Sequence, residues 1–125
     1  MKSTTLIVPG LYGSGSGHWQ SWLERQLASP QNIVRRVQQR DWNVARLADW
    51  TRQVADAIDA ATGPVWIVAH SFGCLASVAA AAGRGEQVAG ALLVAPANPE
   101  RFAAEGLLEA LPGTDRATAT ASATI

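Results

Sequence analysis

Apolar and polar positions along the chain follow a repeating order of short buried strands and amphipathic helices. Four apolar runs bounded by glycine, proline or polar residues predict strands at residues 5–8, 32–37, 64–70 and 88–97. Apolar residues at helical spacing predict helices at residues 19–27, 44–61, 72–83 and 99–111. The apolar stripe is clearest in the second helix, from Val44 to Ala61.

Strands that alternate with helices imply a mainly parallel sheet, because each connection crosses over right-handed and returns to the same edge. We therefore predict an α/β fold, a three-layer sandwich with helices on both faces of the sheet. A chain of 125 residues is the size of one domain. We assign residues 1–112 to that domain and expect residues 113–125, which are rich in alanine and threonine, to be disordered.

Composition narrows the classes of partner. Hydrophobic residues make up 48% of the chain, charged residues 16%, and the formal net charge is zero. We therefore expect no nucleic-acid partner and no membrane attachment. The two histidines and the lone cysteine, Cys74, offer no metal-ligand spacing, so we expect neither metal nor cofactor. A single cysteine and the lack of a secretory or membrane-spanning apolar core favour a cytoplasmic location.

A glycine-rich loop, "PGLYGSGSGHW", follows the first strand and could approach a negatively charged group. A phosphate-binding P-loop requires a lysine where Ser16 stands. The dinucleotide fingerprint requires a third glycine where His18 stands. Both nucleotide-binding motifs therefore fail at one defining position, which disfavours a nucleotide-binding module and leaves the oxyanion of an acyl-transfer reaction as the alternative.

The stretch "WIVAHSFGCLAS" has the order of a strand, a tight turn and a helix, with Ser71 at the turn. It matches the nucleophile elbow G-x-S-x-G, except that Ala69 replaces the first glycine. Ser71 could instead be only the N-cap of the following helix. We interpret His70 as packed or hydrogen-bonded, and Cys74 as a small buried helix residue rather than a nucleophile.

Four segments together resemble the small serine hydrolase family of the α/β-hydrolase superfamily, which includes YdeN-type proteins and retinoblastoma-binding protein nine. They are "VPGLYGSGSGHWQSWLE", "QRDWNVARLADW", "VWIVAHSFGCLAS" and "ALLVAPANPERF". The resemblance implies a partial α/β-hydrolase fold and hydrolysis of small carboxylic esters or amides through an acyl-enzyme on Ser71. It implies an oxyanion hole made by the backbone N–H groups of Leu11 and Phe72. It also implies pocket-shaping roles for His18, Asp41 and Trp42. We expect His70, the neighbour of the proposed nucleophile, to shape the pocket as well.

The chain departs from the family in its catalytic triad, whose order is serine, then aspartate or glutamate, then histidine. No histidine lies beyond His70, and Asp115, in the alanine–threonine stretch, is the only aspartate beyond Ser71. We therefore expect a truncated or frame-shifted family member with impaired activity, and a catalytically inactive binding module as the alternative. His18 is a weak candidate for a substitute base. An unpaired sheet edge near "ALLVAPA" predicts self-association.

Overall fold

A four-stranded parallel sheet joined by three helices forms the framework of the computed structural model, which describes residues 2–108. The strands are β1 (Ser3–Val8), β2 (Asn32–Arg36), β3 (Val65–His70) and β4 (Val88–Val94). The helices are α1 (Trp19–Leu27), α2 (Leu47–Ala60) and α3 (Phe72–Ala81). The predicted α/β fold is thus confirmed. Within residues 2–108 no helix is long and apolar enough to cross a membrane.

The strand order β2-β1-β3-β4 places β1 and β3 side by side at the centre of the sheet. The chain runs outward from β1 to β2, then crosses back so that β3 pairs with the other side of β1. This reversal makes the gap beyond the carboxyl ends of β1 and β3 a topological switch point, where open α/β sheets bind ligands. Val8 is in register with Ala69, so the glycine loop and the Ser71 turn both begin at that gap.

The main core lies between the sheet and the pair α2–α3. Trp50, Val54 and Ile58 recur every fourth residue along α2, so they form one buried stripe. The stripe belongs to one cluster with alternate residues of β1 and β3, among them Leu6 and Ile67. Ile7 is equally buried but points to the opposite face, the side on which α1 contacts β1 and β2. The sheet is therefore the middle of three layers.

The predicted helix over residues 99–111 is wrong for the part that the structure describes. Pro99–Arg101 form a single 3₁₀ turn, and two short antiparallel strands follow, β5 (Phe102–Ala103) and β6 (Gly106–Leu107). Gly106 has φ +137°, a conformation that no α-helix contains, so the helix cannot continue through it. The predicted disordered tail, residues 113–125, lies outside the described residues.

Strand β4 forms one edge of the sheet and exposes apolar side chains. Leu92 and Leu93 point to opposite faces of the strand, and their exposed fractions are 53% and 37%. On the neighbouring strand Trp66 is also half-exposed, with its ring against Gly90. A strand that is apolar on both faces is typical of the interior of an α/β sheet, yet among residues 2–108 nothing pairs with the outer edge of β4.

Candidate active site

Ser71 occupies a strained turn between β3 and α3. Its backbone has φ 54° and ψ −123°, a region that residues with a side chain rarely enter and that costs about 1–3 kcal/mol. Its N–H donates to the carbonyl of Val94 over 3.1 Å, and its carbonyl accepts from Cys74 and Ala97 over 3.0 and 3.1 Å. These bonds to β4, α3 and the loop after β4 hold the turn in place. Ser71 is the N-cap residue of α3, but its hydroxyl makes no capping hydrogen bond.

Two glycines allow the end of β1 to lie directly against this turn. A β-carbon added at Gly10 would lie 2.9 Å from the β-carbon of Ser71, 2.9 Å from the carbonyl oxygen of His70 and 3.5 Å from the nitrogen of Phe72. A β-carbon at Gly73 would lie 2.6 Å from the carbonyl oxygens of both Val8 and Pro9. Such separations are far below van der Waals contact, so only glycine fits at either position. The fold thus brings the start of the glycine loop to the serine.

Leu11 and Phe72 directly follow the two contacting residues, Gly10 and Ser71, and each carries a backbone N–H group. Phe72 is the first residue of α3, so its N–H has no acceptor within the helix and the positive end of the helix dipole surrounds it. Leu11 follows Gly10, which touches the turn. Neither N–H donates to another atom of residues 2–108. Two free donors beside a serine can stabilise a negatively charged oxygen.

The shape of the glycine loop after Leu11 depends on the loop that precedes α2. Tyr12 has φ 70°, and its N–H donates to the carbonyl of Trp42 over 2.8 Å. Gly13 donates to Gly10 over 2.9 Å and lies against the indole of Trp42, which in turn packs edge-to-face on Trp50. Trp42 therefore contacts the loop directly, whereas the exposed Asp41 accepts the N–H of Asn43 over 2.9 Å and forms a turn.

The two histidines lie next to each other at this edge of the sheet. Their ring centroids are 4.9 Å apart in an edge-to-face arrangement, and Trp19 packs against both rings. His18 is the N-cap of α1, and its Nδ1 accepts the N–H of Gln20 over 3.1 Å. Burial, and secondarily the neighbouring His18, lower the pKa of His70. In residues 2–108 neither imidazole forms an ion pair with a carboxylate, so neither has the orienting partner of a triad histidine.

Cys74, one turn into α3, is a poor nucleophile. Its side chain is buried, and burial raises the pKa of the thiol to about 11. The thiol donates to the carbonyl of Val94, with 3.6 Å between sulfur and oxygen. Since the thiolate is the reactive form, Ser71 remains the candidate nucleophile of this turn. No group of three or more candidate metal ligands occurs in the described part of the chain.

Gln20 is a residue of this region that the sequence interpretation did not single out. Its side chain is fully buried beneath α1, where it binds the ends of two strands and the glycine loop. The available signal was a polar residue placed among the apolar positions of an amphipathic helix, between Trp19 and Leu23. Helical spacing alone does not distinguish such a residue from one at the rim of the apolar stripe.

Comparisons with known proteins agree with the geometry. A family model described as serine hydrolase matches residues 5–123. A crystal structure described as a YdeN-like hydrolase from Pectobacterium atrosepticum is 39% identical, with a TM-score of 0.69. That match covers 80% of this chain and 52% of the other, so this chain spans about half the length of that relative. No curated protein matches at comparable significance. On the strength of the family match and the structural likeness, the chain belongs to the serine hydrolase family.

Proposed function

We propose that this site hydrolyses small carboxylic esters or amides through an acyl-enzyme on Ser71. The hydroxyl oxygen attacks the substrate carbonyl carbon, and a tetrahedral intermediate forms. When it collapses, the bond to the leaving alcohol or amine breaks, and the serine proton passes to that leaving group. Water then releases the acid by the same route. The contact between Gly10 and Ser71 supports this proposal, because it brings the glycine loop to the turn that carries the serine.

The oxyanion of that intermediate would accept hydrogen bonds from the backbone N–H groups of Leu11 and Phe72. Both are free among the described residues, and both belong to segments in contact with Ser71. Loss of one such donor from an oxyanion hole typically costs about 10²–10³ in turnover. After the nucleophile itself, this pair is therefore the main contribution to catalysis that we propose for the described residues.

The activation of Ser71 is the weak part of the site. A neutral serine needs an adjacent base, and the printed sequence has no histidine after His70. In a well-studied serine protease, loss of the histidine alone costs about 10⁶ in turnover and leaves about 10³ over water. We propose that this chain by itself is correspondingly slow.

We also propose a cytoplasmic location, since Cys74 is a lone buried thiol.

A binding module on a hydrolase fold is the second candidate function. The imidazoles of His18 and His70 favour it, because within residues 2–108 no carboxylate orients either of them as a base. Such a module would keep the oxyanion donors and bind carboxylic esters or their acids without turning them over. The two functions therefore differ in covalent chemistry at Ser71, not in the ligands they accept.

Labelling with a fluorophosphonate probe separates the two candidates. We expect slow labelling of Ser71 with one phosphonyl group per chain. Neither Ser71→Ala nor the urea-unfolded protein should be labelled. Unlabelled wild-type protein that still binds a small carboxylic ester would favour the binding module. Protein that neither labels nor binds such an ester would contradict both, and affinity for ATP in a parallel titration would revive a nucleotide site.

A further inference from the structure

Gln20 makes an unusual set of hydrogen bonds for a side chain with no solvent exposure. Its Nε2 donates to the carbonyl oxygens of Val8 and Val68, each over 3.1 Å. Its Oε1 accepts the hydroxyl of Ser14 over 2.6 Å. Only the amide nitrogen can contact two carbonyl oxygens, so the orientation of the carboxamide is fixed by its partners.

These three partners belong to the segments that carry the proposed oxyanion donors. Val8 ends β1 just before Leu11, and Val68 lies in β3 just before the turn that ends at Phe72. Ser14 lies within the glycine loop itself. We infer that Gln20 is a positioning residue, which sets the distance between the Leu11 and Phe72 N–H groups. The inference rests on the proposed acyl-transfer function.

A loop-anchoring network, made of Ser14, Gln20, Ser21, Glu24 and Arg36, supports this role. Arg36 donates to the Ser14 carbonyl over 2.6 Å and to the Ser21 hydroxyl over 2.8 Å, while Glu24 accepts its Nε over 2.7 Å. The Ser21 hydroxyl donates to Gly15 over 2.7 Å. Ser14 is thus held through both its side chain and its carbonyl. Among the described residues, Gln20 is the member of this network whose side chain binds both β1 and β3 near their carboxyl ends.

Simple packing does not explain a glutamine at this position. A buried carboxamide is costly unless its polar atoms are hydrogen-bonded, and methionine would fill a similar volume without that requirement. What methionine would not do is bind two strand ends and a loop at once. Oxyanion donors act only within about 2.7–3.1 Å of the charged oxygen, so a small shift of Leu11 would weaken transition-state binding.

The test compares Gln20→Met with Gln26→Met, the same change at an exposed position of α1. Fluorophosphonate labelling of Ser71 is followed over a range of probe concentrations. We expect Gln20→Met to lower the saturating labelling rate about tenfold to thirtyfold, below the full loss of a donor, with half-saturation changed less than about twofold. Gln26→Met should match wild type. A rate change equal in both variants would overturn the inference.

Ser14→Ala keeps both bonds from Gln20 to the strands, so it tests the loop connection in a chain that retains them. We expect Ser14→Ala to slow labelling in the same direction, and the double variant Gln20→Met/Ser14→Ala to be slowed by less than the product of the single effects. Independent effects of the two changes would show that Gln20 does not act through the loop.

Hydrogen exchange of residues 9–15, measured by mass spectrometry, tests the positioning role of Gln20 independently of the reactivity of Ser71. We expect exchange in this segment to be about tenfold faster in Gln20→Met than in wild type or Gln26→Met. If wild-type Ser71 does not label, the proposed function fails, and the exchange result still decides whether Gln20 orders the loop. Unchanged exchange in Gln20→Met overturns the inference whether or not Ser71 labels.

Discussion

Gly10 and Ser71, 61 positions apart in the chain, lie against each other at the carboxyl ends of β1 and β3. A β-carbon at Gly10 would lie 2.9 Å from the β-carbon of Ser71. This contact joins the loop that offers the Leu11 N–H to the turn that offers the Phe72 N–H and the serine hydroxyl. The candidate site therefore exists only where these two segments meet.

Gly10→Ala should separate the loop from the turn. The added methyl would meet the His70 carbonyl as well as Ser71, so the loop must move. We expect a loss of about 1–3 kcal/mol in the free energy of unfolding, measured in urea, and slower fluorophosphonate labelling of Ser71. Gly17→Ala is the control, because nothing lies within 4 Å of a β-carbon there. Equal behaviour of the two variants would contradict the contact.

Gly73→Ala tests the packing of α3 against the end of β1. Alanine gains about 1 kcal/mol of helix propensity over glycine, but its methyl would lie 2.6 Å from two backbone carbonyl oxygens. Backbone on both sides of the contact cannot rotate away, so we expect a net loss of about 2 kcal/mol in urea unfolding. Gly85→Ala, where the added methyl has open space, should be neutral. A stabilised Gly73→Ala would show that strand and helix lie further apart.

His70 should make the protein less stable in mild acid. Its folded pKa is lowered from 6.5, first by burial and then by His18, so below that value the unfolded chain binds protons more readily. Stability should fall as the pH drops from about 6.5 through the lowered folded pKa, and then level off. Urea unfolding between pH 7.5 and 5 should show that the free energy of unfolding depends less steeply on pH in His70→Gln than in wild type.

NMR titration of the imidazole provides the direct check on His70. Its pKa should lie below 6.5 in the wild type. His18→Ala removes the neighbouring imidazole and should raise the pKa of His70 toward the ordinary value. A wild-type pKa at or above 6.5 would be incompatible with a partly buried ring beside a second histidine.

Cys74 should be inert in the folded protein. Burial raises the pKa of its thiol from 9.0 to about 11, so the thiolate fraction at neutral pH falls about 100-fold. A disulfide reagent such as Ellman's should react with Cys74 only after denaturation. Fast reaction in native buffer would contradict the buried position of the thiol and reopen a cysteine nucleophile.

Self-association through the edge of β4 is the outcome we propose for the isolated chain, with a second copy as the partner. Among residues 2–108 no strand pairs with this edge, and Leu92 and Leu93 expose apolar surface on both faces. Sedimentation velocity should show concentration-dependent oligomers that Leu93→Lys reduces. Trp22→Lys changes a more exposed apolar position on α1, 55% exposed against 37% for Leu93, and should leave the oligomers unchanged. A monomeric wild type at high concentration would rule out the edge as an interface.

The sequence by itself determined most elements of the fold and singled out Ser71 as the candidate nucleophile. Apolar runs bounded by glycine and proline locate β1, β3 and α2, because strand and helix formation depend on neighbours a few residues apart. The elbow around Ser71 is equally local, since strand, turn and helix are consecutive. Locality also explains the error after Asn98: apolar spacing favoured a helix, but the chain becomes extended at Phe102 and pairs with Gly106–Leu107 instead.

Only the tertiary structure decided which segments meet at that serine. Gln20 binds Val68 from 48 positions away, and Gly10 touches a turn that is further still along the chain. No local sequence pattern predicts either contact, because both contacts depend on the strand order that places β3 beside β1. The exposure of Leu92 and Leu93 is decided in the same way: their apolar character is read from the sequence, but what lies beside them is not.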